Sequence, residues 1–254
     1  MGPAAHRTAP AMSFLVFDME TRVDKALVRA VQYHGQAIGE EAAYERMRDE
    51  LRRETGGEFF PLTFHVPISI ALARAGDDHV LDGVEVLGAD ALGEAGLVQA
   101  FWSRLEAFDG TLVSFNGRGF DLPVLELHAL RHRCTAPRYF GERNGLRVRF
   151  GRHCDLYDWL TNTGASRLRG GLDLVAKSIG LPGKGAVSGA DVQALWERGR
   201  WNEIHAYCRD DALQTYFLFL RVEYLRGRLS GEALARAEAA TQAYRSSIGG
   251  GGTA

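Results

Sequence analysis

The segment HAYCRDDALQTY (His205–Tyr216) sets two acids side by side behind a histidine and a tyrosine. Two pairings with catalytic potential result: His205 with Asp210, five positions on, and Tyr207 with Asp211, four positions on. Each joins a carboxylate, able to hold a cation, to a side chain able to orient water or move a proton. Spacing alone does not choose between them. Helical periodicity of about 100° per residue groups Asp210 with Gln214 and Arg221 on a polar stripe, and Asp211 with Tyr207, Leu218 and Val222 at an apolar margin. The periodicity therefore predicts a solvent-facing Asp210 and a partly desolvated Asp211 that needs a partner.

Further acids end apolar runs elsewhere. SFLVFDME (Ser13–Glu20) reads as a buried strand delivering Asp18 and Glu20, two apart and hence on one face. Asp121 follows the strand TLVSFN through GRGF, whose Gly117 and Gly119 permit a tight turn; an Asp there is also a common helix cap. If Asp18, Glu20, Asp121 and Asp211 converge, repulsion between two charges about 4 Å apart reaches roughly 1 kcal/mol in water and about 4 kcal/mol at an effective dielectric of 20. Divalent cations remove that cost. A pair of them about 3.5–4 Å apart can activate water and stabilise the leaving oxygen of a phosphodiester.

The elements that must position these acids form an α/β pattern. TFHVPISIALARA and HVLDGVEVLGA, joined by Gly76-Asp77-Asp78, predict a hairpin following the first strand. Leu97, Phe101, Leu105 and Phe108 recur at helical spacing, TLVSFN is a further strand, and a helix begins near Phe120. From His153 onward the pattern is helical: DLYDWL, GLDLVAKSIGL, GADVQALWERG and a long element from about Asn202 to Arg226. Between the first two strands, EEAAYERMRDELRRE reads as a charged helix closed by Gly56-Gly57, an insertion.

Composition narrows the class. With 46% apolar and 24% charged residues in 254, the chain is of ordinary globular composition. A formal net charge of −2 excludes a global basic field, so any contact with a polyanion must be local. Cys134, Cys154 and Cys208 are widely spaced and odd in number, which indicates neither a disulfide framework nor a zinc knuckle and fits a reducing cytoplasm. No apolar run approaches the roughly 18 residues of a membrane span, so no membrane association is expected.

FDMET (Phe17–Thr21), NGRGFDLPVL (Asn116–Leu125) and YCRDDALQTY (Tyr207–Tyr216) together resemble, in order, the three motifs of the DEDD 3′→5′ exonucleases. The chain is similar to stand-alone exonucleases related to the proofreading domain of family-B DNA polymerases, from about Ser13 to Arg226. The resemblance implies an RNase H-like α/β fold, a mixed β-sheet flanked by helices. It also implies that Asp18, Glu20, Asp121 and Asp211 hold two divalent ions, Mg²⁺ or Mn²⁺, with Asp18 bridging both. The tyrosine branch of the family carries Tyr-x-x-x-Asp, matched by Tyr207 and Asp211, and the histidine branch His-x-x-x-x-Asp, matched by His205 and Asp210. The flanking YC..D...TY and the helical periodicity favour the first, so the resemblance implies that Tyr207 orients the attacking water. Its ordinary pKa near 10 makes it a poor base at neutral pH.

Implied partners are 3′ ends of single-stranded DNA or RNA, with DNA favoured, and a DNA repair or replication protein acting in trans. The expected organisation is a flexible arm over 1–11, an exonuclease domain over 12–228 with its insertion at 22–58, and a C-terminal helix with a Gly-rich flexible tail over 229–254. A non-catalytic binding module is the rival from another class, and the retained acids and Tyr207 argue against it.

Around the motifs, Asn116, Arg118, Phe120 and Lys184 are candidate nucleic-acid contacts: Phe120 by stacking on a terminal base, Arg118 as a glycine-flanked exposed cation, and Lys184 in the Gly-rich GLPGKGAVSG. That last stretch lacks the glycine spacing and the Ser or Thr of a phosphate-binding loop. Asp155 and His153 read as structural. His128 and His132, four apart, have a possible ligand spacing but no nearby Cys or acid pattern of a metal motif, and read as surface residues.

Overall fold

The computed structural model describes residues 12–141, 145–148, 151–181, 183 and 188–249. Among the described residues five strands form one sheet: β1 (Met12–Val23), β2 (His65–Gly76), β3 (Leu81–Gly88), β4 (Thr111–Ser114) and β5 (His153–Asp155). Their order is β3-β2-β1-β4-β5, antiparallel on the β3-β2-β1 side and parallel from β1 through β4 to β5. Helices α1 (Lys25–Gln32) and α2 (Glu40–Thr55) lie between β1 and β2, and α3 (Ala89–Ala107) joins β3 to β4. Then come α4 (Asp121–His132), α5 (Pro137–Phe140), α6 (Leu156–Leu160), α7 (Gly171–Ser178), α8 (Val192–Glu197), α9 (Trp201–Leu225) and α10 (Gly231–Gly249).

The alternation along β1 divides the core in two. Leu15, Phe17 and Met19 point to one face, where they pack with Phe101, Trp102 and Leu105 of α3 and Leu122, Val124 and Leu125 of α4. Val16 points to the other, among Tyr216, Leu218, Phe219 and Val222 of α9. The period of two puts Asp18 and Glu20 on the Val16 side, facing α9. A register shift between Glu20 and Thr21 follows the acid pair, a bulge of the kind that re-aims strand ends beside functional clefts.

The insertion contains two helices where one charged helix was expected. It has a small core of its own in Val28, Tyr33, Ala43, Tyr44, Met47, Phe60 and Phe64, and begins after Val23, with Asp24 capping α1 by accepting from the Leu27 amide at 3.1 Å. As expected, α2 closes at Gly56, whose φ of 74° is left-handed. The strand β5 was not foreseen: its three residues are too few for periodicity, and Asp155 at its end caps α6. Helix α10 packs on α9 and β3, burying Leu234, Ala237 and Thr241. Among the described residues, no helix is long and apolar enough to cross a membrane.

Candidate active site

Three elements bring the acids to one place. β1 supplies Asp18 and Glu20, α9 supplies Tyr207 and Asp211, and the first residue of α4 is Asp121. All five line a cleft of ≈ 500 Å³, together with Phe59, Phe60, Asn116 and Phe120. One carboxylate oxygen from each of Asp18, Glu20 and Asp211 lies within 4.8 Å of the other two. Asp121 stands outside this tight trio on the same cleft.

Burial sets the electrostatics. Glu20, Asp121 and Asp211 are buried, and Asp18 is half-buried. Desolvation pushes the Asp121 carboxyl up to about 7, with the Asp155 charge adding to the rise and hydrogen bonds from its own amide and that of Met19 opposing it. Burial drives the Tyr207 phenol well above its ordinary range, and the charges of Asp211, Glu20 and Asp18 raise it further. Tyr207 also hydrogen-bonds Asp211. It therefore keeps its proton and serves as a donor. A trio of carboxylates so close, with the Asp121 carboxyl pushed up on the same cleft, suits divalent cations: an all-oxygen donor set, partly buried and open to a cleft, is what Mg²⁺ or Mn²⁺ takes.

The other half of the doublet lies elsewhere. Ser69 donates its hydroxyl proton to His205 Nδ1 at 2.9 Å, and His205 Nε2 donates to Asp90 at 3.1 Å. Asp210 is 3.8 Å from Arg245 of α10. The predicted polar stripe keeps Asp210 and Arg221 open to solvent, with side chains 40% and 42% exposed, while α10 covers part of it: Arg221 bonds Glu238 at 2.5 Å, and Gln214 is buried.

The motif loop between β4 and α4 is held from beneath by Asp155. Its carboxylate accepts from the amides of Asn116 at 2.8 Å and Arg118 at 2.9 Å, and from Tyr157 at 3.0 Å. The left-handed residue of this turn is Asn116, with φ of 63°, and the glycines serve close approach instead. A Cβ on Gly117 would lie 2.5 Å from Ser114 Oγ and 3.1 Å from the Phe17 ring; one on Gly119 would meet only the Asn116 amide tip, at 2.5 Å.

Arg118 is not the exposed cation its flanking glycines suggested, with a side chain only 17% exposed. It donates to His153 Nδ1 at 3.1 Å and to the Arg147 carbonyl at 3.1 Å, and it is not among the residues lining the cleft. The His153 Nε2 hydrogen goes to Ser114 Oγ at 2.8 Å, which gives His153 a structural place. Burial, with Arg118 alongside, lowers the His153 imidazole to about 3. Phe120 does reach the cleft, where its ring lies 5.2 Å from that of Phe59 and 4.8 Å from His65. Lys184 lies outside the described residues.

Sequence reasoning missed Phe59, an exposed aromatic on the cleft. The signal was present in EFFPL, two adjacent aromatics between a Gly pair and a Pro in the link from insertion to β2. It also misplaced His128, which is buried rather than on the surface, and it missed Glu94, the acid that His128 and His132 both contact.

A mixed sheet in the order β3-β2-β1-β4-β5, flanked by helices and carrying acids in the second half of its central strand, gives the molecule an RNase H-like fold. The sequence pattern of one family, described as predicted 3′→5′ exonucleases related to the exonuclease domain of PolB, matches residues 57–249, and the chain belongs to that family. The match begins beyond β1, so Asp18 and Glu20 join it through the sheet rather than through the matched segment.

No curated protein matches the chain. Among solved structures, the family B DNA polymerase of Pyrobaculum calidifontis is similar at 18% identity and a TM-score of 0.53, over 86% of this chain and 25% of the polymerase. The zinc-bound complex of Escherichia coli exonuclease I with single-stranded DNA gives 16% identity and a TM-score of 0.39, over 81% of this chain and 43% of that one. Exonuclease I from E. coli in complex with a dT13 oligonucleotide gives 16% and 0.38, over 79% and 43%. The chain thus spans a quarter to under half of these proteins.

Proposed function

We propose that the protein is a metal-dependent 3′→5′ exonuclease that removes nucleoside 5′-monophosphates from the 3′ end of single-stranded nucleic acid, with DNA favoured over RNA. The observation that carries this reading is the convergence of Asp18, Glu20 and Asp211 within 4.8 Å on a cleft that Asp121 and Tyr207 also line. Family membership supports the polarity, and kinship with PolB supports DNA. Asp18, Glu20, Asp121 and Asp211 would hold two divalent ions, Mg²⁺ or Mn²⁺, which when bound supply an activated water and charge stabilisation at the leaving oxygen.

The remaining work falls to the chain itself. Tyr207, protonated and anchored on Asp211, orients the attacking water by donating a hydrogen bond. Phe120 and Phe59 would offer ring faces at the cleft for the terminal bases, and Asn116, exposed on the same cleft, would meet the sugar-phosphate backbone. Unpaired Cys134, Cys154 and Cys208 support a reducing compartment such as the cytoplasm, where a repair or replication protein acting in trans would supply the substrate. Chromatography of the products from equal DNA and RNA oligonucleotides tests this reading. Nucleoside 5′-monophosphates, formed faster from DNA, are expected; products made only of longer fragments, or 3′-phosphates, would refute it.

A further inference from the structure

Glu94, His128 and His132 form a second cluster of donor atoms, and none of the three lines the cleft of the acids. His128 and His132 stand one turn apart on α4, so both imidazoles leave the same face. Glu94 follows the break in α3 at Gly93, whose φ is 69°, and places Oε1 2.7 Å from His128 Nδ1 and 2.5 Å from His132 Nε2. One ligand atom from each residue lies within 4.8 Å of the other two.

The tautomer of His128 is informative. Its Nε2 lies 2.9 Å from the His65 carbonyl oxygen, which can only accept, so Nε2 carries the hydrogen. In a neutral ring Nδ1 is then a lone pair, and it faces a carboxylate oxygen. Something positive belongs between them: either a second ring proton or a metal ion. Metal-bound histidines usually donate their other N–H to a carbonyl or carboxylate, which fixes the ring, and the His65 carbonyl fills that role here. The side chains of Glu94 and His132 are 23% and 21% exposed, against 7% for His128, so the trio opens to solvent on one side.

We propose that Glu94, His128 and His132 bind one divalent transition metal of the zinc class, with water as the fourth ligand. Two imidazoles and a carboxylate are a mixed nitrogen and oxygen set that suits Zn²⁺, whereas Mg²⁺ prefers oxygen alone. Tetrahedral zinc with bonds near 2.0–2.1 Å holds its ligand atoms about 3.3 Å apart, so Glu94 Oε1 needs to withdraw from each imidazole by less than about 1 Å, and the two ring nitrogens, which lie within 4.8 Å of each other, need to settle at that spacing. Arg131, whose Nη1 lies 3.7 Å from the same Glu94 oxygen, competes for it, but its side chain is 55% exposed and free to turn toward water or Asp24. The ion would tie α3 to α4 and, through the His65 carbonyl, to β2.

Zinc content after equilibrium dialysis in Mg²⁺ buffer tests the site in the full chain. Asp18→Ala removes a ligand from the acid cluster, so the remaining zinc reports on this trio without any need for nuclease activity. One ion per chain is expected in Asp18→Ala, and none once His132→Ala is added. Co²⁺ in place of Zn²⁺ should give the intense visible bands of a four-coordinate site in the first protein and not the second. His132→Gln keeps a partner for Glu94 but is a poor ligand; in the Asp18→Ala background it should melt like its parent without zinc and still lose the ion. Equal zinc content across the variants, or a Co²⁺ spectrum untouched by the His132 changes, would overturn the assignment and leave a proton between the imidazole and the carboxylate.

Discussion

About 100° of helix separates Asp210 from Asp211, and that rotation gives the two carboxylates different surroundings. Asp211 sits with Asp18, Glu20 and Tyr207, while Asp210 faces Arg245. Asp211→Asn should therefore cut turnover by at least roughly 10²-fold, the scale on which single groups that stabilise a transition state act, and Asp210→Asn should leave most of it. Steady-state rates on one labelled oligonucleotide decide this, and the reverse order would transfer the role to His205 and Asp210. Tyr207→Phe removes only the donated hydrogen bond and should lower kcat by about 10-fold to 10²-fold with little change in KM. An unchanged kcat would deny Tyr207 its role in orienting water. Residue types carried much of this: helical periodicity, with the motif text around Tyr207, separated Asp211 from Asp210. The inward fold of Arg118 was not legible, because His153, Asp158 and the Arg147 carbonyl reach it from distant positions in the chain.

The elements act through their joins. The turn from β4 into α4 positions Asp121, and a Cβ at Gly117 would press on Ser114 and Phe17. Gly117→Ala forces buried neighbours aside, at about 1–3 kcal/mol of stability, and should displace Asp121. Gly119→Ala meets only a flexible amide and should cost much less. Urea unfolding of both variants checks the contrast; equal losses would mean that close packing is not what fixes the turn. At the cleft, Phe59→Ala should raise KM for single-stranded substrate, since stacking of a base on an aromatic ring is worth roughly 1–3 kcal/mol, and an unmoved KM would leave Phe59 as a wall of the insertion.

Four strands were readable, β1 as an apolar run, β2 and β3 as β-branched runs and β4 as the short TLVSFN, and the long helix α9 by its period. The fifth strand was hidden by its length of three residues, and the two-helix insertion by a charge pattern continuous enough to read as one helix. Convergence of β1, α4 and α9 on one cleft follows from the sheet order, which local pattern does not encode.

For the whole molecule, the acids and the buried histidines make stability depend on cations and protons. Binding of Mg²⁺ or Mn²⁺ to the folded state alone should raise the melting temperature by mass action, and no shift at saturating metal would argue against a preformed site. His153 has an ordinary value of 6.5 and is lowered to about 3 by burial, with Arg118 adding to the effect. A histidine kept neutral in the fold but protonated when unfolded contributes stability that is present above 6.5. That contribution is lost as pH falls toward 3, at up to roughly 1.4 kcal/mol per pH unit. The urea midpoint should drop between about pH 7 and about pH 5, and drop less in His153→Gln; parallel losses in the two proteins would remove His153 as the cause.

With a net charge of only −2 the chain has no broad basic field, so under the proposed function its grip on a polyanion would rest on the cleft and on cations bound there. Digestion of 5′-labelled single-stranded DNA with Mg²⁺, beside an Asp18→Ala control, reads that claim directly. A ladder shortening from the 3′ end, present with metal and absent in the control, is the predicted result. Intact oligonucleotide in both lanes, or a ladder that survives Asp18→Ala, would contradict it.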